Sequence, residues 1–258
     1  MPQLDGTKKA IGNPSPVLWA VHVGALLSVV AWALLDMQFE SVMGTLRSSV
    51  DSQSDWFDDA AQHIGWMRVS LLLGVLLIGV ISLGGIIGHR FRPSLSQRSR
   101  SIRSLLAIVS VVALWCSIAA NYPAIAWQGQ RIRVGLQIQQ LESFTEPLRE
   151  DWPERDGEIP EVGPFMAYPF GRPTVLVLLS SPTLANDDFS IAAIERSERG
   201  AIKLQLSGTD HDDWAEWHPA GSEPASFVGG LSDRHDLEST ANLGQGWSLV
   251  RYRTSAAG

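Results

Sequence analysis

Two polar clusters in the C-terminal half could carry chemistry. Asp210-His211-Asp212-Asp213 is followed by Glu216 and His218, and further on come Asp233, His235 and Asp236. Imidazoles and carboxylates together bind divalent cations, and a bound cation acidifies a coordinated water for hydrolysis. His211, Asp213, His218 and His235 are the four side chains that would serve as metal ligands in a membrane-tethered, metal-dependent hydrolase. Their spacing matches no HxxxH or HExxH arrangement, and acid-rich segments of an acidic domain ordinarily form solvated loops. The metal site is therefore the alternative reading. Trp214 and Trp217, within DDWAEWHP, are candidates for contact with a ligand or partner, since exposed aromatic rings stack on sugars and peptides. Trp247 sits in an alternating run and reads as core.

Other catalytic templates fail on residue type or context. Ser180-Ser181-Pro182 ends an apolar run with no GxSxG around it. Gly229-Gly230 and Gly244-Gln245-Gly246 are not followed by the residues a phosphate loop requires. Glu142, Glu146 and Glu150 share one helix face and read as a hydrated stripe. Cys116 is the only cysteine, which excludes an internal disulfide, and it lies in an apolar stretch. No catalytic residue and no cofactor is assigned. A net charge of −7 argues against nucleic acid as a partner.

The elements that would position these residues follow a membrane-like first half. Residues 17–35 are uncharged over 19 positions, a helix of about 28 Å against a hydrocarbon core of roughly 30 Å. Residues 66–88 and 104–122 supply two more spans. Trp19, Trp32, Trp66, Tyr122 and Trp127 fall near the span ends, where amphipathic rings favour the headgroup level. Ala31-Trp32-Ala33 has the spacing of a signal-peptidase site, but continuation through Leu34 and Leu35 favours an uncleaved anchor. Small residues recur along the spans, with Gly84 and Gly88 as a GxxxG pair, and predict close packing within the three-helix unit. His22 is the one ionisable residue inside the apolar stretches 17–35, 69–88 and 104–120 of the spans, apart from the thiol of Cys116, and a default functional candidate.

Loop charge sets the expected orientation. Residues 36–65 hold six acids and only Arg47 as a base, whereas residues 89–103 hold Arg90, Arg92, Arg98, Arg100 and Arg103 and no acid. Arg-rich loops stay cytoplasmic, and these five arginines suit anionic lipid headgroups. Residues 1–16, with Lys8 and Lys9, are then cytoplasmic. The acidic loop 36–65 is extracytoplasmic, with an amphipathic helix marked by Phe39, Val42, Met43, Leu46 and Val50.

Beyond the spans, residues 123–150 read as a juxtamembrane helix, a stalk bent at Pro123, with Val134, Ile138, Leu141 and Leu148 on one face. Residues 151–258 read as a soluble domain with strands at 165–168, 174–180, 190–196, 201–206 and 247–253. Residues 197–200 form a hairpin turn, and a short helix over 233–242 is capped by Ser232. The expected fold class is a multi-pass α-helical membrane protein, three transmembrane helices followed by a small α+β extracytoplasmic domain. Its expected setting is the plasma membrane, most simply a bacterial inner membrane. The expected function is non-enzymatic: an interaction or scaffold domain held at the lipid bilayer for a membrane or extracytoplasmic protein partner.

Overall fold

The structure, a computed structural model, describes residues 16–36, 38–40, 42–44, 65–91, 102–160, 162–182, 189–207, 211–230 and 232–255. The chain divides into two compact units. One comprises Met1–Ala33 and Val42–Ile125, the other Leu34–Ser41 and Ala126–Gly258.

The first unit is built on helices α1 (Pro16–Leu35), α2 (Trp66–Phe91) and α3 (Ile102–Ala120). α1 and the Trp66–Gly88 part of α2 are long and apolar enough to cross a membrane. Leu105–Ala120 with Tyr122–Leu136 makes a third such span if that bent pair is counted as one. Their large apolar side chains point outward; Val80 and Ile81 in α2 are 68% and 64% exposed. A water-soluble helix turns such residues inward and shows a polar face. Here the exposed helix surface is apolar.

His22, which the sequence marked as a functional candidate, holds the three helices together. Trp115 Nε1 donates to His22 Nε2 at 3.0 Å, which makes that nitrogen the unprotonated one. Nδ1–H then donates to Ser82 Oγ at 2.9 Å, and Ser82 passes its own hydrogen to the Gly79 carbonyl at 2.9 Å. The glycines that bring the helices close differ from those the spacing picked out. A Cβ at Gly24, Gly74, Gly84 or Gly88 would meet nothing among the described residues. One at Gly79 would lie 3.1 Å from the Trp115 ring, and one at Gly85 would lie 3.5 Å from Leu18.

The second unit is a nine-stranded antiparallel sheet covered on one face by helices α4 (Tyr122–Leu136, from Ala126 on) and α5 (Ile138–Glu150). The strands are β1 (Gly157–Ile159), β2 (Gly163–Tyr168), β3 (Val175–Leu178), β4 (Ser190–Arg196), β5 (Ile202–Ser207), β6 (Asp212–Trp217), β7 (Phe227–Val228), β8 (Arg234–Gly244) and β9 (Trp247–Ser255). Their order is β1-β2-β3-β4-β5-β6-β9-β8-β7. Val134, Leu141, Phe144 and Leu148 from the helices pack on Leu176, Ile194, Ile202, Leu204, Ala215, Trp247 and Leu249 from alternating sheet positions. Residues 126–150 are thus a layer of the domain and not a free stalk. The helix breaks at Asn121, beside Pro123, and again at Gln137.

The expected strands at 165–168, 174–180, 190–196, 201–206 and 247–253 each correspond to an observed strand, and Gly200 (φ 79°) turns the β4–β5 hairpin. The expected helix over 233–242 is instead β8. Gln245 and Gly246, at φ 55° and 83°, form a two-residue turn with both central residues left-handed, the geometry that matches strand twist and folds β8 back onto β9. Ser232, at φ 70°, sits in the turn before β8 and caps no helix. In the 36–65 loop, Phe39–Glu40 and Val42–Gly44 are helical; Leu46 and Val50 lie outside the described residues. Val42 packs on Val69 and Leu72 in the first unit.

Leu34–Ser41 belongs to the second unit. Arg133 Nη1 donates to the Leu34 carbonyl at 2.6 Å. Gly129 lies so close that a Cβ there would stand 2.5 Å from the same oxygen.

Candidate functional site

DDWAEW, which reads as an acidic loop, is the central strand β6 between β5 and β9. Alternation along it sends Asp213, Ala215 and Trp217 to the helix face and Asp212, Trp214 and Glu216 to the other. Two separate polar networks result, and together they account for every candidate ligand.

On the helix face, Asp213 is fully buried. Arg251 on β9 binds it with two hydrogen bonds, Nε to Oδ1 at 2.7 Å and Nη2 to Oδ2 at 3.2 Å, and Gln130 Nε2 donates to Oδ2 at 2.9 Å. The guanidinium lies over the Trp127 ring, 4.7 Å from its centroid, and its Nη1 reaches Glu40 Oε2 at 3.4 Å. His211 Nε2 pairs with the other oxygen of Glu40 at 3.0 Å. Burial alone would raise the Glu40 pKa, but the bond from His211 and the Arg251 charge outweigh it and hold the carboxyl below its ordinary value. The hydrogen bond to Glu40 in turn raises His211, against the opposing effect of burial.

On the opposite face, Asp212 accepts hydrogen bonds from Trp214 Nε1, His235 Nδ1 and Thr254 Oγ1, each at 2.6 Å. These bonds, His235's foremost, overcome burial and lower its pKa. Glu216, fully buried, accepts from the Tyr252 hydroxyl at 2.7 Å and pairs with His218 Nε2 at 2.7 Å and Lys203 Nζ at 3.2 Å. Burial, with Glu216 beside it, pushes the Tyr252 phenol well up. Phe227 stacks on His235 with 4.6 Å between ring centroids and receives the Lys203 ammonium on its ring, 3.2 Å from the centroid. Burial lowers the Lys203 pKa against the pull of Glu216.

His211, Asp213, His218 and His235 therefore each engage a different partner: Glu40, Arg251, Glu216 and Asp212. The sheet separates the first two from the last two. Among the described residues no three His, Cys, Asp or Glu side chains gather as a metal-binding group. Asp210 lies outside the described residues, as do Arg92, Arg98 and Arg100 and the side chains of Arg90 and Arg103. Trp214 is 1% exposed, packed against Phe227, Tyr252 and His235, and offers no face to a partner. Trp217 packs against the helix-side core with Arg149 4.1 Å above its ring. Glu142, read as part of a hydrated stripe, accepts from Trp247 Nε1 at 2.8 Å and pairs with Arg149 at 2.5 Å.

The second face also contains a cavity of about 550 Å³, lined by residues that include Glu195, Arg196, Lys203, His218, Phe227 and Gly230. Glu195 and Lys203 escaped the sequence reading because each sits singly in an apolar alternation. The signal was their placement at directly paired positions of the β4–β5 hairpin. What this face can do chemically is hold a small molecule against a buried charge. Comparison with protein-family models, with curated proteins and with solved structures gives no match for this chain.

Proposed function

We propose that this chain is a multi-pass membrane protein with three spans, whose α+β domain works outside the cytoplasm as a non-enzymatic interaction or scaffold module for a protein partner. The observation that carries the reading is Glu40. It stands five residues past the end of α1, yet it pairs with His211 and Arg251 of the sheet domain. That pairing supports a reading in which the start of the 36–65 loop and the domain share one side of the bilayer, with an even number of crossings between them. α2 and α3 supply two.

The Arg-rich 89–103 loop, held on the cytoplasmic side by its charge, puts that shared side outside. A bacterial inner membrane is the simplest host for this charge pattern, with the five arginines facing anionic headgroups. Protease treatment of intact spheroplasts tests the orientation: the domain is expected to be digested. Its survival until the cells are lysed would reverse the map. Recovery of the detergent-solubilised protein at native expression tests the scaffold role. A defined protein partner is expected, and repeated isolation as a lone species would overturn that role.

A further inference from the structure

On the sheet face away from the helices, Glu195, Lys203 and Glu216 occupy directly paired positions on β4, β5 and β6. Two carboxylates flank one ammonium. Lys203 leans to one side, toward Glu216, the Tyr252 hydroxyl at 3.4 Å and the Phe227 ring. Glu195 is the remainder. It is 8% exposed and lines the cavity, and its one hydrogen bond among the described residues comes from the Gly230 N–H to Oε1 at 3.3 Å. Its Oε2 accepts none among those residues, and no cation there forms an ion pair with it. Burial holds its pKa above the ordinary value, against the opposing pulls of the Gly230 N–H, His235 and Lys203, and Asp233 adds slightly to the rise.

The loop at Gly229 and Gly230 packs closely against Glu195, His235, Val175 and Thr174. A Cβ at Gly229 would stand 3.0 Å from Glu195 Oε1, and one at Gly230 would run into Val175 and Thr174. Glycine at both positions lets backbone reach the carboxylate and fix it while one oxygen stays open. The cavity wall carries Arg196 and Arg199 and, in equal number, Glu198 and Glu223, and Lys203 is already engaged by Glu216. A cation would find a buried, positioned acceptor in a space of the size that small-molecule sites have.

We propose that the cavity binds a small organic cation, a primary ammonium or guanidinium group, whose N–H donors fill the open lone pairs of Glu195. The cation could be a free amine or the side chain of a lysine on another protein. Amine binding and partner recovery are independent readouts, so failure of one leaves the other standing.

Isothermal calorimetry on the full-length chain in detergent tests it with three probes: 1,4-diaminobutane, Nα-acetyl-lysine methylamide and the uncharged 1,4-butanediol. Saturable binding of at least one amine and none of the diol is expected. The tighter amine identifies the source as free or peptide-borne. Glu195→Gln, which keeps size and loses charge, is expected to weaken binding by about tenfold or more, the range of a charge-assisted hydrogen bond. Glu195→Asp, which keeps the charge but withdraws it, is expected to give a smaller loss and serves if the glutamine variant fails to fold. Glu158→Gln, on the exposed strand β1 outside the cavity lining, is the control and should change affinity less than about twofold. Absence of saturable amine binding, equal binding of the diol, or undiminished binding to the Glu195 variants would overturn the proposal.

Discussion

Arg251→Met removes the guanidinium from a closed set of side chains and leaves a fully buried carboxylate behind. Asp213 would keep one of its three hydrogen bonds, that from Gln130. Stripping one member from a buried ion pair costs about 3–5 kcal/mol, because the survivor is a desolvated charge without a counterion. The lost stacking over Trp127 adds about 0.5–1 kcal/mol. The retained bond from Gln130 and the partly open Glu40 end of the network offset some of this, so a net loss of about 3–4 kcal/mol is expected. For a domain of this size that lowers Tm by roughly 10–15 °C. Adding Asp213→Asn takes away the stranded charge, and the double variant should recover most of the loss, with an interaction energy of about 2 kcal/mol. Urea unfolding of the full chain in detergent, followed by tryptophan fluorescence, measures all three variants. A loss below about 1 kcal/mol for Arg251→Met, or strictly additive effects in the double variant, would refute the view that this pair is buried and mutually dependent.

The Glu40–His211 pair should give the domain a pH window. Glu40 is held below its ordinary 4.5, so its contribution is present above that value and lost as pH falls through the folded-state pKa. His211 is raised above its ordinary 6.5, so its contribution is full below that value and lost as pH rises through the folded-state pKa. A Tm-against-pH curve should lose both edges in Glu40→Gln, and an unchanged curve would contradict the pairing. Glu195, an acid raised by burial, opposes folding increasingly as pH rises through its folded pKa. Glu195→Gln should therefore raise Tm at neutral pH while weakening amine binding by about tenfold or more; a lowered Tm would argue that the ionised form is stabilised in place. In the helical unit, His22→Ala should cost about 1–2 kcal/mol in a denaturing-detergent titration, and an unaffected midpoint would mean that the Trp115–His22–Ser82 chain does not hold the helices. Gly129→Ala sets a methyl against the Leu34 backbone and is expected to destabilise the domain by about 1–3 kcal/mol, whereas a neutral result would show that α4 can shift without penalty.

The apolar helices were legible because their length and apolar composition lie in contiguous residues, which a sequence displays directly. The hairpin at Ser197–Gly200 and the apolar β3 were legible for the same local reason. β6 was not, because four acidic residues within Asp210–Glu216 read as solvated when their partners are unseen. Asp213 is buried only because Arg251 arrives from β9 and Gln130 from α4, and neither pairing leaves a trace near position 213. β8 was hidden by a mixed polar run whose strand character depends on the turn at Gln245–Gly246. The sequence offered His211, Asp213, His218 and His235 only as metal ligands or as part of a solvated acidic loop, without the partners they have in the structure. Each finds a carboxylate or a guanidinium, and which one depends on the side of the sheet its position faces.

β9 lies between β6 and β8 inside the sheet, and its Arg251 reaches a residue 211 positions earlier. During synthesis the segment bearing Glu40 leaves the ribosome long before its guanidinium partner exists, and the strands on either side of β9 wait unjoined until it follows. Completion of the domain is thereby tied to the arrival of β9, and a chain released short of Trp247 should remain a clearance substrate for quality-control proteases, however well its helices have formed.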